Sequence, residues 1–176
     1  LGERHSPVPD REWVESFRRV HEQALADARR TIGPIAFVER KPNSLRGTNA
    51  TMFARRTTAG SAIRVSDPES PRTHAETVYE TDTGFILDLH PHYDGQRLLL
   101  SMKTAVDRPF HVWEIRRDGS GLRQITDGPC HDFNPAYLPD GRIVFSSSRV
   151  ESYSMCQDFL ACALHVCGAD GSDVRR

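Results

Sequence analysis

Residues 132–149 read DFNPAYLPDGRIVFSSSR, and residues 88–103 read DLHPHYDGQRLLLSMK. Both stretches pass from an aspartate through a proline to an Asp-Gly pair, then into an apolar triplet that ends at serine. Pro91 and Pro135 are 44 residues apart, whereas Asp94-Gly95 and Asp140-Gly141 are 46 apart. A second phrase also recurs. HVWEIRRDGSGLRQ from His111 matches LHVCGADGSDVRR from Leu164, with Asp118-Gly119-Ser120 set 52 residues before Asp170-Gly171-Ser172. The extra six residues (52 minus 46) fall in the loop between the two phrases, which carries Cys156 and Cys162.

Asp-Gly supplies the positive φ angles of a tight hairpin. Leu98-Leu99-Leu100 and Ile143-Val144-Phe145 are apolar at consecutive positions, so both faces of each strand are expected to be buried. A blade that packs against a neighbour on either side needs that pattern, and a repeat period in the forties is the signature of a β-propeller. A worn earlier copy runs through Ile35-Ala36-Phe37-Val38, then GSAIRVSDPESP from Gly60, then ETVYET from Glu76. The expected fold is therefore all-β: a partial propeller of about three blade units, preceded by one amphipathic helix. The helix and linker occupy residues 1–34 and the propeller 35–176, in units of roughly 35–87, 88–131 and 132–176. Closed propellers have about four to eight blades, and an open stack leaves an apolar face and strand edges bare. The chain also starts without methionine and stops inside a repeat. The expectation is a piece of a longer protein.

The helix is read from about Glu12 to Arg29 by the spacing of Trp13, Phe17, Val20, Ala24 and Ala28, with Asp10 as N-cap and Gly33-Pro34 as terminator. It packs on the propeller or another domain, or binds a partner. The polar stretch from Lys41 to Gly60 reads as a linker or as a rim excursion. A net charge of −1 gives no electrostatic case for nucleic acid, and the Arg-Arg pairs sit among acids as solvated surface. No apolar run approaches the ~20 residues of a membrane span, so no membrane insertion is expected.

PHYDGQRLLLSMK, PFHVWEIRRDGSGLRQIT and PAYLPDGRIVFSSSR resemble the WD40-like (PD40) repeats of TolB-type propellers. The wording PFHVWEIRRDGSGLRQIT followed by HDFNPAYLPDGRIVFSSSR most resembles the middle region of hydrazine synthase alpha subunit-like proteins. The strong likeness covers Asp88 to Arg176. It implies a roughly six- to seven-bladed propeller in a secreted or periplasmic bacterial protein. It also implies a scaffold that binds a protein partner or orients flanking domains of the same chain. Relatives of this kind carry c-type haem on flanking domains, or precede serine peptidase domains. No C-x-x-C-H is present here, so the haem activity is not carried over.

For an exported chain, Cys156 and Cys162 are a candidate disulfide that would contribute about 2 kcal/mol by closing a short loop; free thiols are the alternative. Cys162, His165 and Cys167 are weak metal candidates. The repeat places His165 at the position of Trp113 and Cys167 at that of Ile115, which favours packing. Cys130-His131 is poorly arranged as nucleophile and base, because neighbouring strand residues point to opposite faces. His90 aligns with Asn134 and His92 with Ala136, so these histidines, like His111, read as structural or surface residues. Asn49-Ala50-Thr51 is a formal glycosylation sequon with no meaning in a bacterial protein. There is no G-x-S-x-G, H-E-x-x-H, phosphate loop or G-x-G-x-x-G. No catalytic residue and no cofactor is expected within the chain. The leading expectation is a non-catalytic extracytoplasmic scaffold. The alternative is the propeller part of a haem-dependent or peptidase enzyme whose catalytic parts lie elsewhere. A third reading is a small-ligand or metal site at the propeller's central channel.

Overall fold

The computed structural model describes residues 11–31, 33–41, 57–67, 75–150, 153–154 and 157–176. Helix α1 (Arg11–Thr31) extends the expected helix at both ends, and Asp10, the expected cap, lies outside the described residues. Its apolar stripe includes Phe17 and Val20, which are 57% and 69% exposed. The Phe17 ring stacks on His21 one turn later.

The remaining chain forms successive sheets. β1 (Ile35–Arg40), β2 (Ser61–Ser66) and β3 (Ala75–Thr81) make the first, in the order β1-β2-β3. β4 (Phe85–Pro91), β5 (Arg97–Lys103), β6 (His111–Arg116) and β7 (Arg123–Gln124) make the second, an antiparallel meander. β8 (Asp132–Tyr137) and β9 (Ile143–Ser147) open the third. A small hairpin of β10 (Tyr153–Ser154) and β11 (Gln157–Leu160) then leads to β12 (Ala163–Cys167), giving the order β12-β9-β8. A bridge from Val166 to Arg175 stands where the second sheet has β7. The two apolar triplets thus lie in β5 and β9, the second strands of separate sheets.

Strand register refines the repeat. Leu98 faces Ile115 and Ile143 faces Cys167, so Leu98 and Ile143 are counterparts. Across the sheet, Leu98 faces Pro91 but Ile143 faces Tyr137. Pro91 is therefore the counterpart of Tyr137, and His90 that of Ala136, in place of the proline-anchored pairing. The cause is a pair of bulges at different rungs. One lies between Ile86 and Asp88, the other between Phe133 and Ala136, where Asn134 adopts φ 52° ahead of Pro135. In consequence Asp132 stands on the rung of Ile86, not of Asp88.

The second sheet buries both faces. Leu98, Leu100 and Met102 of β5 pack with Ile63 and Ile86, joined by Ala36, Val38 and Val78 of the first sheet. Leu99, one residue out of phase, packs with Val112, Tyr137, Ile143, Phe145 and Cys167 towards the third. Polar bonds add to this. The bulged Asn134 donates its backbone N–H to Ser101 Oγ at 3.0 Å and its side-chain amide to Asp88 Oδ2 at 2.8 Å.

The turns interlock as well. Gly119, in the β6–β7 turn, lies so close to the Val78 carbonyl in β3 that a Cβ would come within 2.4 Å of it. Gly171 meets the Ile125 carbonyl just after β7 in the same way, at 2.0 Å. β3 is thus the counterpart of β7, and β2 and β1 are those of β6 and β5. The first sheet contains the second, third and fourth strands of the repeat.

Gly171 and Gly141 both have φ 88°, but a Cβ on Gly141 would meet nothing within 4 Å. Gly141→Ala should cost about 1–2 kcal/mol, the strain of left-handed backbone alone. Gly171→Ala should cost clearly more in the same urea titration. Equal losses would show that the turn does not bear on its neighbour.

Candidate functional site

Titratable side chains concentrate at the two ends of the junction between the second and third sheets. At one end Asp132 begins β8 with its carboxylate fully buried. Ser147 Oγ, across the sheet in β9, donates to Oδ1 at 2.6 Å, and Arg149 Nη2 donates to Oδ2 at 2.6 Å. The same guanidinium donates to the Asp127 carbonyl at 2.7 Å. His111 Nδ1, at the start of β6, stands 3.7 Å from Oδ2. Burial alone would raise the Asp132 pKa. The nearby His111 ring, hydrogen bonding from Ser147 and Thr126, and the Arg149 charge outweigh it and hold the carboxyl below its usual range.

Beside it, His131 Nδ1 accepts the Phe110 backbone N–H at 3.2 Å, and the His131 backbone N–H donates to Ser148 Oγ at 3.0 Å. Burial, then the charges of Lys103 and His111, push His131 down against a smaller opposing effect of Asp132. A neutral ring is what the Phe110 bond requires. The Lys103 ammonium lies 4.7 Å from the centre of the Phe110 ring, and burial lowers its pKa against the opposing charge of Asp107.

At the other end, Glu114 of β6 is nearly buried. Tyr137 Oη donates to Oε1 at 2.8 Å, and Arg123 donates Nε and Nη2 to Oε2 at 2.9 and 2.7 Å. Arg123 also donates to the Ala169 carbonyl of the third sheet at 2.9 Å, while Arg97 lies over the Tyr137 ring. Burial and then Glu114 drive the Tyr137 phenol far up, so it stays a donor.

Chemically these are clamps. Both Asp132 oxygens are occupied, and Ser147 donates to the carboxylate instead of being deprotonated by a base. Nucleophilic catalysis needs the reverse polarity and access for a substrate.

The residues singled out in the sequence scatter. Cys167 lies in the apolar cluster, and burial followed by the Asp132 charge pushes its thiol up to about 11, which disfavours the thiolate a metal needs. His165 is buried and stacked on Phe145, with Nδ1 3.0 Å from the Ala163 carbonyl. Cys162 is exposed just ahead of β12, its pKa raised by desolvation and then Asp132. Cys156 lies outside the described residues, as do 42–56 of the polar stretch. Cys130 is half-buried. His92 meets Arg97 Nη2 through Nε2 at 2.7 Å, and His90 lies 6.1 Å from the Tyr137 ring. Among the described residues no group of three or more His, Cys, Asp or Glu is placed to hold a metal ion.

Sequence reasoning missed Asp132, Glu114 and Tyr137. The signal for Asp132 was present, since an aspartate heads both refrains. Glu114 and Tyr137 belong to different sheets and left none.

His131 and Asp132 both have folded pKa values below their unfolded ones, so the unfolded chain takes up more protons in acid. Stability from His131 is complete above its unfolded pKa of about 6.5 and is lost as pH falls, while Asp132 follows below about pH 4. The urea midpoint should drop between pH 8 and 5.5, and by less in His131→Gln. Parallel curves would remove His131 from the account. Asp132→Asn should cost about 3 kcal/mol at pH 7 by stranding Arg149.

No protein-family model and no curated protein matches this chain. Solved structures do. A TolB from Agrobacterium tumefaciens superposes with a TM-score of 0.52 at 18% identity, over 78% of this chain and 49% of that one. A puromycin-hydrolysing peptidase of Mycobacterium tuberculosis gives 0.53 at 15% identity, over 81% of this chain and 20% of the peptidase. Hydrazine synthase of Kuenenia stuttgartiensis gives 0.52 at 19% identity, over 77% of this chain and 20% of that one. The chain thus spans about half the length of the TolB and a fifth of the other two. Identities this low speak for fold alone: β-propeller blades, preceded in the chain by one N-terminal helix.

Proposed function

We propose that this chain is a non-catalytic propeller scaffold, part of a larger extracytoplasmic bacterial protein, which binds a protein partner or orients neighbouring domains. One observation carries the reading. The buried side chains best equipped for chemistry spend their hydrogen bonds on one another: Ser147 ties Asp132 within the third sheet, and Tyr137 ties the third sheet to Glu114 of the second. What remains outward is shaped surface: the Asp-Gly turns, Tyr93 at 68% exposed and Val106 at 44%. Surface of this kind suits recognition of another folded protein. The extracytoplasmic assignment draws on the resemblance of the repeats to TolB-type propellers. No helix among the described residues is long and apolar enough to cross a membrane.

The second reading is the propeller part of an enzyme, favoured by the equally good superposition on a peptidase and on hydrazine synthase. Reading the complete gene and incorporating a photo-crosslinking side chain at Tyr93 separate the two. The scaffold predicts an export signal and cross-links from this rim to a partner or neighbouring domain. Flanking C-x-x-C-H motifs with bound haem, or a flanking G-x-S-x-G with peptidase activity, would replace it with the enzyme.

A further inference from the structure

We infer that the groove lined by Glu76, Gln96, Arg97, Arg116, Arg117 and Asp118 is a docking site for an acidic segment of a protein partner. This rests on the proposed reading of the chain as a scaffold and names what its partner presents. The groove holds about 440 Å³ where the β4–β5 and β6–β7 turns of the second sheet meet the start of β3. Ligand sites commonly measure roughly 300–1,000 Å³.

The fold does not ask for two of these arginines. Strand register sets Arg116 and Arg117 in the places that Gly168 and Ala169 take in the third sheet. The two turns close on the same backbone bonds. Arg116 N–H donates to the Ser120 carbonyl at 3.0 Å, and Gly168 N–H donates to the Ser172 carbonyl at 2.8 Å. Gly119 and Gly171 donate back to the Arg116 and Gly168 carbonyls, each at 2.9 Å. A turn that forms equally well on Gly-Ala needs neither guanidinium.

The charges are also left without partners. Arg97 and Arg116 stand opposite each other across β5 and β6, and like charges in that relation repel. Arg97 is compensated by Asp94 at 3.2 Å and Glu114 at 3.6 Å. Among the described residues neither Arg116 nor Arg117 forms an ion pair or a side-chain hydrogen bond. The neighbouring acid is committed to its own turn. Asp118 Oδ1 accepts the Ser120 backbone N–H at 2.9 Å and the Ser120 hydroxyl at 2.7 Å. Those bonds, ahead of the Arg116 charge, hold its carboxyl below the usual range.

Each arginine fork matches one carboxylate, and exposed Glu76 on β3 offers an acceptor for a backbone N–H. Two forks beside one acceptor suit an extended peptide with spaced Glu or Asp side chains. The groove's own acids, Glu76 and Asp118, weigh against a compact multivalent anion such as phosphate.

Fluorescence polarisation of a labelled peptide of alternating Glu and Ser tests this, with the Gln-Ser peptide beside it. Only the Glu peptide should bind, and binding should weaken as salt rises from about 0.02 to 0.15 M. Arg116→Gly with Arg117→Ala installs the residues of the third sheet, so the urea midpoint should hold while the affinity falls about tenfold or more. Arg142→Ala with Arg175→Ala removes the same charge from arginines already paired with Asp140 and Asp173 and should leave the affinity unchanged. Equal binding of the Gln peptide, or equal loss in both double variants, would overturn the inference. So would displacement of the peptide by inorganic phosphate at equal concentration. If cross-linking from Tyr93 captures a partner and the Arg116→Gly, Arg117→Ala chain captures as much, this inference fails and the scaffold stands. If no partner is captured and flanking haem or peptidase motifs are found, the scaffold reading falls and takes this inference with it.

Discussion

Leu98, Leu99 and Leu100 cannot all be hidden by one neighbouring sheet. Consecutive strand residues point to opposite faces, so a run of three apolar residues demands cover on both sides. Leu98 and Leu100 find it in the first sheet and Leu99 in the third. The face-to-face succession of small sheets, the tight turns that return each strand, and the placing of polar groups at strand ends all follow from that demand.

Once the interior of each junction is apolar, polar groups must settle where strands begin and end. Asp132 with Ser147 and Arg149 closes one end, and Glu114 with Tyr137 and Arg123 closes the other. A buried carboxylate is tolerable only when it is hydrogen-bonded, and here each carboxylate oxygen accepts at least one bond. These bonds fasten strands within the third sheet at one end and the second sheet to the third at the other.

The repeat was legible because Asp-Gly turns and apolar triplets are local features. The exchange of His165 for Trp113 and Cys167 for Ile115 was legible for the same reason, since the Asp-Gly-Ser turn that anchors the alignment is only a few residues away. The proline anchor misled, because two bulges at different rungs shift the first strands while leaving the primary sequence in apparent register. A bulge depends on the partner strand and leaves little trace in one sequence. Asp132 on the rung of Ile86 is the clearest case: two refrains that begin with the same letter put it at different depths. The Glu114–Tyr137 pair was invisible, because its members come from separate sheets 23 residues apart.

The seating of Gly119 on Val78 and of Gly171 on Ile125 is main chain against main chain. Side-chain volume does not enter it. The angular step from one module to the next is thus indexed by the polypeptide itself, like teeth on a gear. A side chain added at either glycine would push the neighbouring sheets apart at that point.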